Sequence, residues 1–187
     1  DDDVEFEKNR LREHNAPVDH HIIQDMDGVY HLWGCVRNTA VGRVFYHWET
    51  DDVSQSPWRD TGEMIRADRN AGESIDDWWG QEWLQSPYFI LADRTYYMFY
   101  GAHRAGVDEH GRRVPTYDPG PVDDRSVYQM CLMTSEDGRH WERYRNSDGL
   151  SRIFTGPGES RDPCLIQIDG VWHMYYAGYY DYGKPEE

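Results

Sequence analysis

Short apolar runs broken by tight polar turns recur three times along the chain. His20–Gly34 reads HHIIQDMDGVYHLWG, Ser86–Gly101 reads SPYFILADRTYYMFYG, and Asp162–Gly178 reads DPCLIQIDGVWHMYYAG. Each opens on a polar residue followed by Pro or His, then runs as a short apolar strand. Each bends at an Asp-Gly or Asp-Arg pair and returns as an aromatic-rich strand. Tyr, Trp, Ile, Val and Phe favour strands because they pack well on a pleated, half-buried surface. The pattern predicts antiparallel hairpins at Ile22–Val36, Tyr88–Ala102 and Cys164–Gly178. Asp27-Gly28 and Asp169-Gly170 predict two-residue turns, since both central positions tolerate positive φ. Asp93-Arg94 lacks the glycine, so a longer turn or one of another type is expected there.

A third strand follows each of the first two hairpins, at Gly42–Thr50 and Val127–Ser135, with short fourth strands near Trp58 and Trp141–Tyr144. Four strands followed by the same phrase again is the pattern of a β-propeller blade, so the fold class is all-β. Residues 1–15 form an acidic tail. Blade one covers about 16–65, a linker 66–84, blade two about 85–155, and 156–187 begins blade three. Propellers usually have four to eight blades. The chain, which lacks an initiator Met, is therefore expected to be part of a longer protein or to be completed by a partner chain or by self-association. Arg104–Arg125 is Gly-, Pro- and Asp-rich and reads as a long loop, either a decoration or a cover over a substrate.

The net charge of −16 over 187 residues argues against nucleic acid and anionic membrane surfaces as partners. No apolar run is long enough to span a bilayer, so membrane insertion is not expected. Cys35, Cys131 and Cys164 fall in strands without metal-type spacing and read as buried free thiols. No zinc site, phosphate-binding glycine loop or nucleophile elbow is apparent.

Candidate chemistry lies where the repeats begin. Asp19 and Asp162 open the first and third repeats, and glycoside hydrolysis needs two carboxyl groups flanking one bond. Asp19 is the candidate nucleophile or base. Asp162, beside Arg161, is the candidate stabiliser of positive charge on the sugar ring. Candidate substrate-binding residues are His20, His21, Trp79, Trp83, Gln85, Ser86 and Arg161, with Trp78 beside them. Aromatic faces stack on sugar rings, but the same tryptophans serve equally as packing between blades. Ser135–Trp141 reads as a turn whose Trp packs back onto its blade.

Four features together resemble the five-bladed propeller glycoside hydrolases, the clan of families 43, 32, 68 and 117. They are Asp19 after Pro17-Val18, Ser86-Pro87 at the second repeat, Arg161-Asp162-Pro163, and the S-x-D-G-x-x-W turn Ser135–Trp141. The resemblance implies a central active-site funnel and hydrolysis of glycosidic bonds in an oligo- or polysaccharide. The composition agrees with a secreted or periplasmic location. No cofactor is expected, with a central divalent ion such as calcium left open. His20-His21 after Asp19 departs from the clan's usual context. The family's general acid belongs to a blade beyond Arg161-Asp162-Pro163, so it must come from elsewhere, such as another chain, Glu82 or a histidine. The alternatives are a non-catalytic carbohydrate-binding propeller, or a remnant lacking the acid, and a scaffold propeller that binds protein.

Overall fold

Aromatic and β-branched runs between polar turns build thirteen strands in the computed structural model, which describes residues 16–39, 41–73, 82–103, 106–107, 113–114, 128–155 and 160–178. Blade one comprises β1 (Ala16–Gln24), β2 (Tyr30–Thr39), β3 (Gly42–Thr50) and β4 (Arg59–Ile65), paired antiparallel in chain order. A 3₁₀ turn at Arg69–Ala71 follows, with the Asp68 carboxylate accepting from the Asn70 amide. Blade two comprises β5 (Glu82–Ala92), β6 (Thr95–His103) and β9 (Tyr128–Ser135). The outer edge of β9 is shared by β10 (Glu142–Arg143) and β11 (Arg152–Phe154). Between β6 and β9 a small ribbon pairs β7 (Gly106–Val107) with β8 (Arg113–Val114). The third repeat is the hairpin β12 (Arg161–Ile168) and β13 (Val171–Ala177). No helix among the described residues is long and apolar enough to cross a membrane.

The three hairpins are present, but two turns exchange the geometry expected of them. Gln24 pairs with Tyr30, so the first loop spans residues 25–29 and is not an Asp-Gly two-residue turn. Asp25 organises it: its Oδ1 accepts from the Asp27 and Val29 amides at 2.9 and 2.8 Å. In the second hairpin Ala92 pairs directly with Thr95, and Asp93 and Arg94 both have positive φ (49° and 65°). That is the two-residue geometry of a glycine-containing turn, imposed here on an arginine. The third hairpin turns at Asp169-Gly170 as expected.

The blades are also less separate than the repeats suggest. β4 leaves β3 opposite Phe45, and the first residues of β5 fill the edge it vacates: Gly42 and Arg43 pair in parallel with Glu82 and Trp83. The Glu82 amide donates to the Val41 carbonyl at 2.7 Å. The core lies between the two blades, where Trp33, Cys35 and Phe45 of blade one meet Leu84, Phe89, Met98, Tyr100, Cys131 and Met133 of blade two. The Ser135–Trp141 turn contributes by stacking Trp141 on Phe89, ring centroids 5.5 Å apart. Buried ion pairs hold the segment after β4. Glu82 receives Arg66 and the Ala67 amide (2.9 Å), and Glu73 receives Arg143 (2.9 Å) and the Tyr100 hydroxyl. Cys35 and Cys131 are buried free thiols, whereas Cys164 is exposed because the face of β12 that carries it is uncovered.

Candidate active site

Each inner strand is kinked at one residue. Asp19 in β1 (φ 43°), Ser86 in β5 (φ 54°) and Asp162 in β12 (φ 52°) all lie in the left-handed region. Each coincides with a break in strand register, between Val18 and His20, Gln85 and Tyr88, and Arg161 and Cys164. A bulge turns one side chain out of the alternation of its strand. A non-glycine residue held in this conformation costs on the order of 1–3 kcal/mol, and such strain concentrates at ligand and active sites. One strained position, repeated in three inner strands and filled by Asp, Ser and Asp, defines the candidate site.

Two of the three bulge side chains are in direct contact, and each carboxylate has an arginine beside it. Ser86 Oγ donates to Asp162 Oδ1, joining the second repeat to the third. Arg161 Nη1 stands 3.4 Å from Asp162 Oδ2, and Arg37 Nη2 stands 3.8 Å from Asp19 Oδ2. Both carboxylates remain open to solute, Asp19 being 36% and Asp162 42% exposed. In β5, next to Ser86, the buried Gln85 Oε1 accepts from Arg43 Nη1 (2.9 Å) and Trp83 Nε1 (3.3 Å). A Cβ on Gly101 would fall 3.2 Å from Gln85 Cγ and 3.3 Å from Arg161 Cβ, so a larger residue would press these two apart by a few tenths of an ångström.

The remaining candidates are tied into the frame around the bulges. His21 Nδ1 accepts from the Phe89 amide at 2.8 Å, and its ring stacks on Tyr88, centroids 4.3 Å apart. Burial, helped by the neighbouring His20, lowers its pKa and keeps it an acceptor. His20 is exposed beside Asp19. Trp83 lies in β5, where the Arg43 guanidinium sits 3.5 Å from its ring centroid and His103 stacks at 4.8 Å. Its ring is therefore engaged inside the wall. Burial, followed by the charge of Arg43, lowers the His103 pKa to about 3. Glu82 is 4% exposed and bound by Arg66. Trp78 and Trp79 lie outside the described residues. Arg37 and Arg43 were missed in the sequence. The signal that finds them is register: both flank the β2–β3 turn, at the end of the blade that carries the Asp19 bulge.

Among the described residues, three metal-type ligand atoms cluster only at His31, His47 and Glu49, at the opposite end of β2 from the Asp19 bulge.

These are β-propeller blades with polar, strained inner-strand positions. No protein-family model and no curated protein sequence matches the chain. Solved structures do match, and they are β-propeller glycoside hydrolases. An endo-1,4-β-xylanase from Bacteroides thetaiotaomicron superposes with a TM-score of 0.56 at 18% identity, covering 87% of this chain and 48% of the xylanase. CoXyl43, a GH43 β-xylosidase/α-arabinofuranosidase from a compost metagenome solved with xylotriose, gives a TM-score of 0.53 at 14% identity, covering 90% of this chain and 44% of its own. A GH43_1 enzyme from Xanthomonas citri, also complexed with xylotriose, gives 0.53 at 12% identity, covering 96% and 46%. The chain has the fold of these enzymes over less than half their length, and forms a partial β-propeller.

Proposed function

We propose that this chain supplies part of the active-site funnel of a secreted or periplasmic glycoside hydrolase acting on an oligo- or polysaccharide. The carrying observation is the three aligned left-handed bulges at Asp19, Ser86 and Asp162. The first strand of each blade lines a propeller axis, so equivalent positions face one another around it. Asp19 acts as the nucleophile or base. Asp162, held by Ser86 and Arg161, stabilises the positive charge that develops on the sugar ring. His20 and Gln85 line the approach to Asp19 and Asp162. Both carboxylates have an arginine neighbour. The general acid then comes from outside these residues, from another blade on the same polypeptide or a partner. The xylan- and arabinan-type activities of the structural neighbours make pentose-containing polysaccharides the first substrates to try.

The test is hydrolysis of xylo- and arabino-oligosaccharides by the full-length polypeptide. Asp19→Asn keeps the shape and removes the base, so kcat should fall by about 100-fold or more with binding retained. Asp162→Asn should lower kcat more than it raises KM. Full activity in Asp19→Asn would exclude this role. A wild type that binds these sugars without cleaving them would favour the carbohydrate-binding propeller.

A further inference from the structure

A second polar cluster lies between the blades, away from the axis, and its proton count does not close. His31 in β2 and His47 in β3 are buried, and His31 Nδ1 faces His47 Nε2 at 2.9 Å. The far nitrogen of each ring has a determined role. His31 Nε2 lies 3.0 Å from Asp25 Oδ2, a carboxylate that only accepts, so this nitrogen carries a proton. Thr61 spends its hydroxyl proton on the His47 carbonyl (3.0 Å), so it accepts from His47 Nδ1, also at 3.0 Å. Glu63 Oε2 offers that same nitrogen a second acceptor at 3.4 Å. With both far nitrogens protonated, two neutral rings point bare lone pairs at each other across 2.9 Å. Two lone pairs hold that separation only with a proton or a metal ion between them.

We propose that His31 Nδ1, His47 Nε2 and the Glu49 carboxylate bind a divalent first-row metal ion, zinc in the first instance. The three ligand atoms already lie within 4.8 Å of one another, and all three residues are buried. Metal–imidazole bonds of about 2.0–2.1 Å place two nitrogens about 2.9 Å apart at a right angle and about 3.4 Å apart at the tetrahedral angle. The observed separation falls at the short end of that range. A metal-bound imidazole usually donates its other N–H to a carboxylate or similar acceptor, which orients the ring, and both rings here do so. Two imidazoles with one carboxylate suit zinc and its neighbours better than calcium or magnesium. The ion would share the Glu49 carboxylate with two guanidinium groups. Arg59 pairs with Glu49, while Arg139, from the turn after β9, pairs with Glu63 at 2.6 Å and reaches Glu49 at 4.0 Å. The ion would tie β2 to β3, and through Glu49, Glu63 and Arg139 would brace blade one against blade two. Sequence spacing hides this site because its ligands meet through cross-strand register, His31 opposite Glu49 and Trp33 opposite His47. The proposal is independent of the reading of the axial carboxylates.

The test is titration of chelator-stripped protein with Zn²⁺, read against a competing chromophoric chelator, and with Co²⁺, read by visible absorption. One equivalent should bind, and the Co²⁺ form should show d–d bands without a sulfur charge-transfer band, which excludes the cysteines as ligands. His31→Gln and His47→Gln should each weaken binding by at least about 100-fold, and Asp25→Asn, which loses only the outer partner of His31, by about 10–100-fold. Asp25 is in a loop, so its variant carries the test if the histidine variants do not fold. The proposal is overturned if folded wild type takes up neither ion at millimolar concentration. It is also overturned if Asp25→Asn binds as tightly as wild type, or if nitrogen NMR of metal-challenged protein finds a proton shared between the rings.

Discussion

A left-handed residue in the middle of a strand is a local cost that neighbouring contacts have to offset. At Ser86 the offset includes the hydroxyl bond to Asp162, so one side chain carries both the backbone geometry and the link between repeats. Ser86→Gly should relieve the backbone while losing the bond, for a small net change in stability. Ser86→Val adds a branched Cβ at positive φ and should destabilise by roughly 1–3 kcal/mol. Urea denaturation of the two variants separates strain from hydrogen bonding. His103 offers a pH test. It is buried with its pKa lowered to about 3, against 6.5 for the free group. Between those values the unfolded chain takes up a proton that the folded chain does not. The stabilisation is therefore complete above about pH 6.5 and is lost as pH falls, by up to about 1.4 kcal/mol per pH unit. Urea midpoints measured between about pH 7 and 5 should fall for wild type and fall less steeply in His103→Gln, the buried His47 and His21, whose pKa values are also lowered, supplying the rest.

At the scale of strands and turns, repetition is legible because alternate buried positions demand it. β3 runs over Gly42–Thr50 as read, and the three hairpins stand where their aromatic returns placed them. Turn type is not legible from the turn dipeptide alone, because flanking register decides it. Asp27-Gly28 sits inside a wider loop built on Asp25, while Asp93-Arg94 is forced into the tight turn by the Ala92–Thr95 pair. Arg94 holds φ 65° without being glycine, so Arg94→Gly should stabilise the hairpin by up to about 1 kcal/mol, measurable by denaturation. The site divides in the same way. Asp19, Ser86 and Asp162 are visible as repeat openings, whereas their bulges, Arg43 and the His31–His47 pair arise from register and long-range pairing.

For the molecule as a whole, the uneven burial of the three repeats matters most. Blade two is covered on both sides, but the third hairpin leaves Ile166, Ile168, Val171, Trp172, Tyr175 and Tyr176 exposed. Strand pairing puts Ile166, Ile168, Val171 and Tyr175 on one face of the hairpin and Trp172 and Tyr176 on the other, and an exposed apolar sheet face is covered by further structure or drives association. The 187-residue chain by itself should sediment as a species larger than 22.1 kDa, and Val171→Lys with Tyr175→Glu should return it toward monomer. A monodisperse wild-type monomer would show that this face is stable in water.

The two-residue seam between β3 and β5 has a mechanical consequence. It stitches blade one to blade two at the end of the blades that carries the axial bulges. At the other end, Trp33 donates to the Gly138 carbonyl at 3.1 Å and Arg139 grips Glu63. A panel fastened along both edges has no axis on which to swing. The wall between Asp19 and Ser86 therefore behaves as a single rigid panel.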